Sequence, residues 1–191
     1  MKQIVLASQS PRRRELLEQL GLEFTIQPST VEEKVTSEDP VEVVRELSRQ
    51  KAQDVADQME KEHPGHDMVV LGADTIVVYK GIILGKPADR DDAEKMLHML
   101  QGNTHSVYTG VTLIGKGKSV TFAEETKVTM YPVSHEEITW YIETKEPDDK
   151  AGSYAVQGLG ARFIQKIEGD YNNVVGLPAG RIYQILRNWE E

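Results

Sequence analysis

Residues 68–73 read Met-Val-Val-Leu-Gly-Ala without one polar side chain, and Asp74 follows directly. A strand that is apolar on both faces belongs in the middle of a sheet with helices above and below it. The run therefore predicts an α/β fold, with Asp74 at the end of a central strand, where sheets of this class place ligand-binding residues. Gln3 to Ala7 reads as a second buried strand, and a helix from Pro11 to about Leu20 follows it after a tight turn. Ser10 is the N-cap of that helix, Pro11 takes the first helical position and Gly21 stops it. Phe24 to Gln27 extends next, and after a polar loop Pro40 opens a long amphipathic helix to about Met59. Thr75 to Tyr79 stays extended and Ile82 to Gly85 returns. Arg90 to Leu100 is helical, and His105–Ile114 and Ser119–Met130 form a hairpin that makes the sheet mixed. Ser134 caps a helix to about Thr144, the Gly-rich stretch from Asp148 to Gly160 reads as a functional loop, and Arg162 to Ile167 is a strand. Asn172 to Leu177 reads as loop, and Gly180 to Trp189 as the closing helix. No repeat or linker divides the chain, so residues 1–191 are expected to form a single domain.

The formal net charge of −9 argues against stable nucleic-acid binding, which draws on many Lys and Arg contacts to phosphate. The absence of cysteine excludes disulfides and thiolate metal sites, and the five histidines fall without zinc-type spacing. The first eight residues are too short and strand-like for a signal peptide and no long apolar run follows, which predicts a cytoplasmic chain without membrane attachment.

Against this acidic background, Arg12, Arg13 and Arg14 stand at a helix start, where the macrodipole disfavours positive charge. Arg13 occupies the position where a capping box carries Glu or Gln. A phosphate supplies the missing counter-anion: backbone N–H groups, the Ser8 and Ser10 hydroxyls and the guanidinium forks all suit it. On that reading, removing Arg12 or Arg13 should leave stability unchanged or improve it. Asp74 as a carboxylate can ligate Mg²⁺ or take a proton from water, although a turn aspartate is the ordinary alternative. Glu33, in the Glu32-Glu33-Lys34 loop, supplies a second hard oxygen ligand from a separate segment, while Glu32 reads as solvated. Lys51 lies on the long helix, and Lys86 is aimed by its neighbours in Gly85-Lys86-Pro87. No Walker loop or dinucleotide fingerprint occurs. Together these residues are equipment for hydrolysing a phosphoanhydride.

Five motifs carry a resemblance. Leu6-Ala7-Ser8-Gln9-Ser10-Pro11-Arg12-Arg13, Gly72-Ala73-Asp74-Thr75, Gly85-Lys86-Pro87, Asp149-Lys150-Ala151-Gly152-Ser153-Tyr154 with Gln157-Gly158, and Asn173-Val174-Val175-Gly176-Leu177-Pro178 resemble the Maf family of nucleoside triphosphate pyrophosphatases over essentially the whole chain. The resemblance implies an elongated mixed β-sheet flanked by helices, in two lobes with a cleft, similar to the inosine triphosphate pyrophosphatases. It implies cleavage of a nucleoside triphosphate between the α and β phosphates with a divalent cation, Mg²⁺ or Mn²⁺. By position, Ser8, Ser10, Arg12 and Arg13 match the phosphate-binding motif, Asp74 the proton acceptor, and Glu33, Lys51 and Lys86 the supporting polar residues. Arg12, Thr75 and Gln157 match the branch acting on dTTP, UTP and modified pyrimidines. A nucleotide-binding regulator of cell division and septum formation is the competing expectation, and a phosphatase that releases orthophosphate is a third. Oligomeric state, a homodimer included, stays open.

Overall fold

The computed structural model describes residues 2–189. In chain order the elements are β1 (Gln3–Leu6), α1 (Pro11–Gln19), β2 (Phe24–Ile26), α2 (Pro40–Glu62), β3 (Met68–Tyr79), β4 (Ile82–Leu84), α3 (Arg90–Leu100), β5 (Thr104–Gly115), β6 (Lys118–Met130), α4 (His135–Glu143), β7 (Ile164–Glu168), α5 (Tyr171–Val175) and α6 (Ala179–Arg187). Short 3-10 turns occupy Glu146–Asp149, Ala151–Ser153 and Leu159–Phe163. The seven strands form one mixed sheet in the order β2-β1-β3-β5-β6-β7, with β4 paired to β3. Strand β1 runs parallel to both of its neighbours, Ile4 opposite Phe24 on one side and Val69 on the other, while β3/β4 and β6/β7 are antiparallel. Parallel neighbours need crossover helices, which α1 and α2 supply.

The apolar run 68–73 is central as its composition requires, but the strand does not stop there. Strand β3 continues unbroken through Asp74 and Thr75 to Tyr79. The expectation that Asp74 ends a strand is corrected: β-branched Thr75, Ile76, Val77 and Val78 hold the backbone extended past it. Asn172 to Leu177, expected as loop, begins within a short helix, Tyr171–Val175.

The chain divides into two compact units, one comprising the segment up to Asp74, Thr109–Glu124 and the segment from Gly176 onward, the other Thr75–Tyr108 and Glu125–Val175. In the first unit, Val5 and Ala7 of the β1 segment and Val70 of β3 pack against Ala52 and Val55 of α2. Side chains alternate along a strand, so Gly72 and Asp74 share the face of Val70 and lie under α2. The helix sits so close that a Cβ on Gly72 would lie 2.5 Å from the Ser48 carbonyl oxygen and 2.7 Å from the Ala52 nitrogen. Gly110 on β5 meets the same helix, where a Cβ would fall 2.0 Å from the Val44 carbonyl oxygen.

In the second unit, Ala93, Met96, Leu97 and Leu100 of α3 and Ile138, Tyr141 and Ile142 of α4 are buried. Ser134 and Glu137 complete a reciprocal capping box at the start of α4. His105 and Tyr154 share a buried hydrogen bond of 2.6 Å, and burial pushes the His105 imidazole down to about 4. Among the described residues no helix is long and apolar enough to cross a membrane.

The two glycines carry a stability prediction. Gly72→Ala should destabilise the protein by about 1–3 kcal/mol, the usual cost of overpacking, because backbone stands where the methyl must go. Gly180→Ala, in α6 with nothing within 4 Å of the new methyl, should be neutral or stabilising by up to about 1 kcal/mol. Urea unfolding of both variants measures the contrast.

Candidate active site

Strand β1 delivers the chain to a turn at Ser8, held by the bond from the Ala7 N–H to the Leu71 carbonyl at 2.8 Å. The Ser8 hydroxyl accepts from the Ser10 N–H at 3.1 Å and from the Arg13 guanidinium at 3.3 Å. Ser10 caps α1 by accepting from the Arg13 N–H at 3.5 Å, and the first turn contains no acid. The three arginines part company here. Arg14 lies at the surface, 3.8 Å from Glu18. Arg13 turns inward, its Nε donating to the Gly176 carbonyl at 2.9 Å. Burial draws the Arg13 guanidinium below its ordinary value and Arg12 adds to this, while Asp74 and Glu33 oppose it. Arg12 is half-buried beside it.

The parallel register of β1 and β3 sets Leu6 opposite Leu71, so the chain leaving β1 runs alongside Gly72–Asp74. Helix α2, seated on Gly72 between Ser48 and Ala52, carries Lys51 to the same place. The Lys51 ammonium donates to Asp74 Oδ1 at 2.5 Å and lies 2.9 Å from Glu33 Oε1. Lys51 and Asp74 are shielded, with side chains 18% and 15% exposed, whereas Glu33 at 48% faces solvent. The Lys51–Asp74 bond is thus the stronger part of the bridge, because exposed ion pairs contribute little.

Glu33 belongs to the loop between β2 and α2, which is stitched onto the helix on both sides of it. Asp54 accepts from the Ser29 hydroxyl at 2.7 Å and the Thr30 N–H at 2.9 Å. Gln50 accepts from the Lys34 N–H at 2.9 Å and donates to the Lys34 carbonyl at 2.7 Å. The Ser29 hydroxyl bond holds the Asp54 carboxyl below its usual range, and the Thr30 and Val31 N–H groups assist against burial. Neither Asp54 nor Gln50 stands out in the sequence, since charged residues along an amphipathic helix read as its solvated face. Glu32 is exposed, as its pattern predicts.

Thr75, Lys86 and Gln157 belong to the second unit. Thr75 shares a face of β3 with Val77, which packs beneath Gly152, and Gly152 donates to the Gly85 carbonyl at 3.0 Å. This bond joins the segment carrying Lys86 to the segment leading to Gln157. The middle of the expected functional loop is interior structure: Gly152, Ser153, Tyr154, Ala155 and Val156 are buried, and Lys86 and Gln157 are exposed. Glu146, which sequence reasoning passed over, accepts from the Tyr141 hydroxyl at 2.5 Å, the Leu159 N–H at 2.8 Å and the Gly160 N–H at 3.0 Å. These bonds hold its carboxyl below its ordinary value although burial pushes the other way. Its oxygen also fills the space of a side chain at position 158, where a Cβ would approach within 2.1 Å, so any larger residue there would displace the Glu146 carboxylate from these bonds.

The family model for Maf-like proteins matches residues 3–189. The chain belongs to this family. A dTTP/UTP pyrophosphatase of Agathobacter rectalis is 53% identical over 199 residues, covering 98% of this chain and 97% of the relative. One of Bacillus cereus is 50% identical over 191 residues, covering 100% of this chain and 97% of the relative. Among solved structures the Ham1 protein of Staphylococcus aureus superposes with a TM-score of 0.50 at 13% identity, each chain covered in full, which bears on the fold alone.

In this Maf-like chain Ser8, Ser10, Arg12, Arg13, Glu33, Lys51 and Asp74 all fall within the first unit. Arg13 ties α1 to the Gly176 carbonyl, and the expected tolerance of its removal is corrected accordingly. Arg13→Ala should cost about 1.5–3 kcal/mol, the scale of a charge-assisted hydrogen bond. Arg14→Ala, at the surface, should stay within about 0.5 kcal/mol. Thermal melts of the two variants check the difference.

Proposed function

We propose that this chain hydrolyses dTTP, UTP and modified pyrimidine triphosphates to the nucleoside monophosphate and pyrophosphate, a reaction that clears unwanted nucleotides from the cytoplasmic pool. The observation that carries the reading is the Lys51 bridge between Asp74 and Glu33, formed in the same unit as an arginine-rich helix start. The full-length likeness to relatives named dTTP/UTP pyrophosphatase supplies the substrate class. In this reading the Ser8 and Ser10 hydroxyls, Arg12, Arg13 and the α1 N–H groups bind the phosphate chain, and Lys86 assists. Asp74 takes the proton of the attacking water as its oxygen bonds to phosphorus. The bridging P–O bond breaks, and pyrophosphate departs with the electron pair. Lys51 orients the carboxylate that does this.

Two carboxylates from separate segments that already converge on one cationic group suit a hard divalent ion, and we assign Glu33 and Asp74 to hold Mg²⁺ or Mn²⁺. Such an ion, when bound, neutralises charge on the phosphate oxygens. We assign pyrimidine choice to Gln157, with Thr75 and Arg12 as its companions in the family branch. An exposed amide with one donor and one acceptor end complements the O4 and N3–H edge of uracil and thymine.

The test is product analysis with UTP, dTTP, CTP and GTP in the presence of Mg²⁺. UTP should yield UMP and pyrophosphate, and release of orthophosphate alone would contradict the proposal. In Gln157→Glu, kcat/KM for UTP and dTTP should fall by the equivalent of about 1–3 kcal/mol, with GTP changing less. A uniform loss across all four would remove Gln157 from base recognition.

A further inference from the structure

The five histidines show no metal-binding spacing in sequence, yet the fold brings two of them together with a carboxylate on the outer seam between α3 and α4. Glu94 and His98 are four residues apart on α3 and so share one face of that helix. His135 is the first residue of α4 and comes to them from across the seam. His98 Nε2 lies 3.3 Å from His135 Nδ1, and Glu94 Oε1 lies 3.7 Å from the first and 3.4 Å from the second. The rings stack with centroids 5.5 Å apart and planes 17° from parallel, and both nitrogens lie within 4 Å of the same Glu94 oxygen.

That triangle has the dimensions of a coordination face. Bonds of about 2.0–2.1 Å in a tetrahedral shell put neighbouring ligand atoms about 3.3–3.4 Å apart, and the three edges here span 3.3 to 3.7 Å. The side chains are 35%, 41% and 61% exposed in the order Glu94, His98, His135, which leaves the fourth direction to water. Imidazole nitrogen with carboxylate oxygen selects borderline divalent transition metals and is a poor donor set for Mg²⁺. An ion held there would clasp the last turns of α3 to the first residue of α4, two helices also joined at the surface by Arg90 and Glu143 at 3.5 Å.

We propose that Glu94, His98 and His135 form a surface binding site for a borderline divalent transition metal such as Zn²⁺, separate from Glu33 and Asp74. The site joins two helices of the second unit and leaves at least one coordination position open.

Calorimetric titration of Zn²⁺ into the full chain, without nucleotide and with Mg²⁺ in excess, tests this. The wild type should bind one equivalent that Mg²⁺ does not displace, and Zn²⁺ should raise its Tm. His98→Gln, His135→Gln and Glu94→Gln should each weaken that event by at least about tenfold, since even groups that only orient a ligand contribute about 10- to 100-fold. Asp74→Asn should retain it, and turnover with Mg²⁺ should be unchanged in His98→Gln. No Zn²⁺ binding tighter than millimolar in the wild type would overturn the proposal. So would an event lost in Asp74→Asn and kept in His98→Gln, which would place the ion at the catalytic carboxylates.

Discussion

Helix α2 reaches the sheet at two glycines, Gly72 on β3 and Gly110 on β5, where backbone meets backbone with no side chain between them. The close approach seats Ala52 over the strand and brings Lys51, its neighbour on the helix, within 2.5 Å of Asp74. Asp54 and Gln50 on the same helix then fasten the β2–α2 loop that presents Glu33. Three acid–base groups from three segments therefore depend on the depth at which one helix packs. A methyl group at position 72 would lift that helix and move Lys51 away from its partner.

The electrostatics follow from the same packing. A chain of net charge −9 concentrates arginines at the start of α1, and Arg13, drawn inward to Ser8 and Gly176, feels both Asp74 and Glu33. On the proposed reading, opposite charges placed this near to one another, with a helix N-terminus adding its dipole, would receive a polyanion on the basic side and leave a carboxylate for water activation on the other. A protein that only bound a nucleotide would need the first half of this arrangement. Lys51, Asp74 and Glu33 supply the second.

Much of this was legible in the residues because the signals are local. Ser10-Pro11 fixes the start of α1, Asp89 caps α3 where the pattern begins at Arg90, and the apolar run at 68–73 marks the centre of the sheet. Arg12 and Arg13 could be singled out because basic residues at a helix start break a local rule, and Asp74 because it follows an apolar run, whereas Lys51 breaks no rule and stood on the family resemblance. Other features depend on partners distant in sequence and left no local mark. Gly72 sits in an apolar run with nothing nearby in sequence to name what packs on it, and its occupant is α2. Glu146 carries no mark in the sequence, and its bonds to Tyr141, Leu159 and Gly160 shape the segment after Gln157. Arg13 reads as a charge in the wrong place until Gly176, 163 residues away, supplies its acceptor.

We assign to Asp74, positioned by Lys51, the proton of the water that cleaves the phosphoanhydride. Steady-state turnover of UTP with Mg²⁺, measured beside equilibrium binding of the same nucleotide in Asp74→Asn, addresses this assignment most directly. The amide keeps the shape and can still accept from Lys51, so kcat should fall by about 100-fold or more, the scale of a lost general base, with Kd changed only a few-fold. A kcat close to that of the wild type would contradict it and leave Asp74 as a structural partner of Lys51.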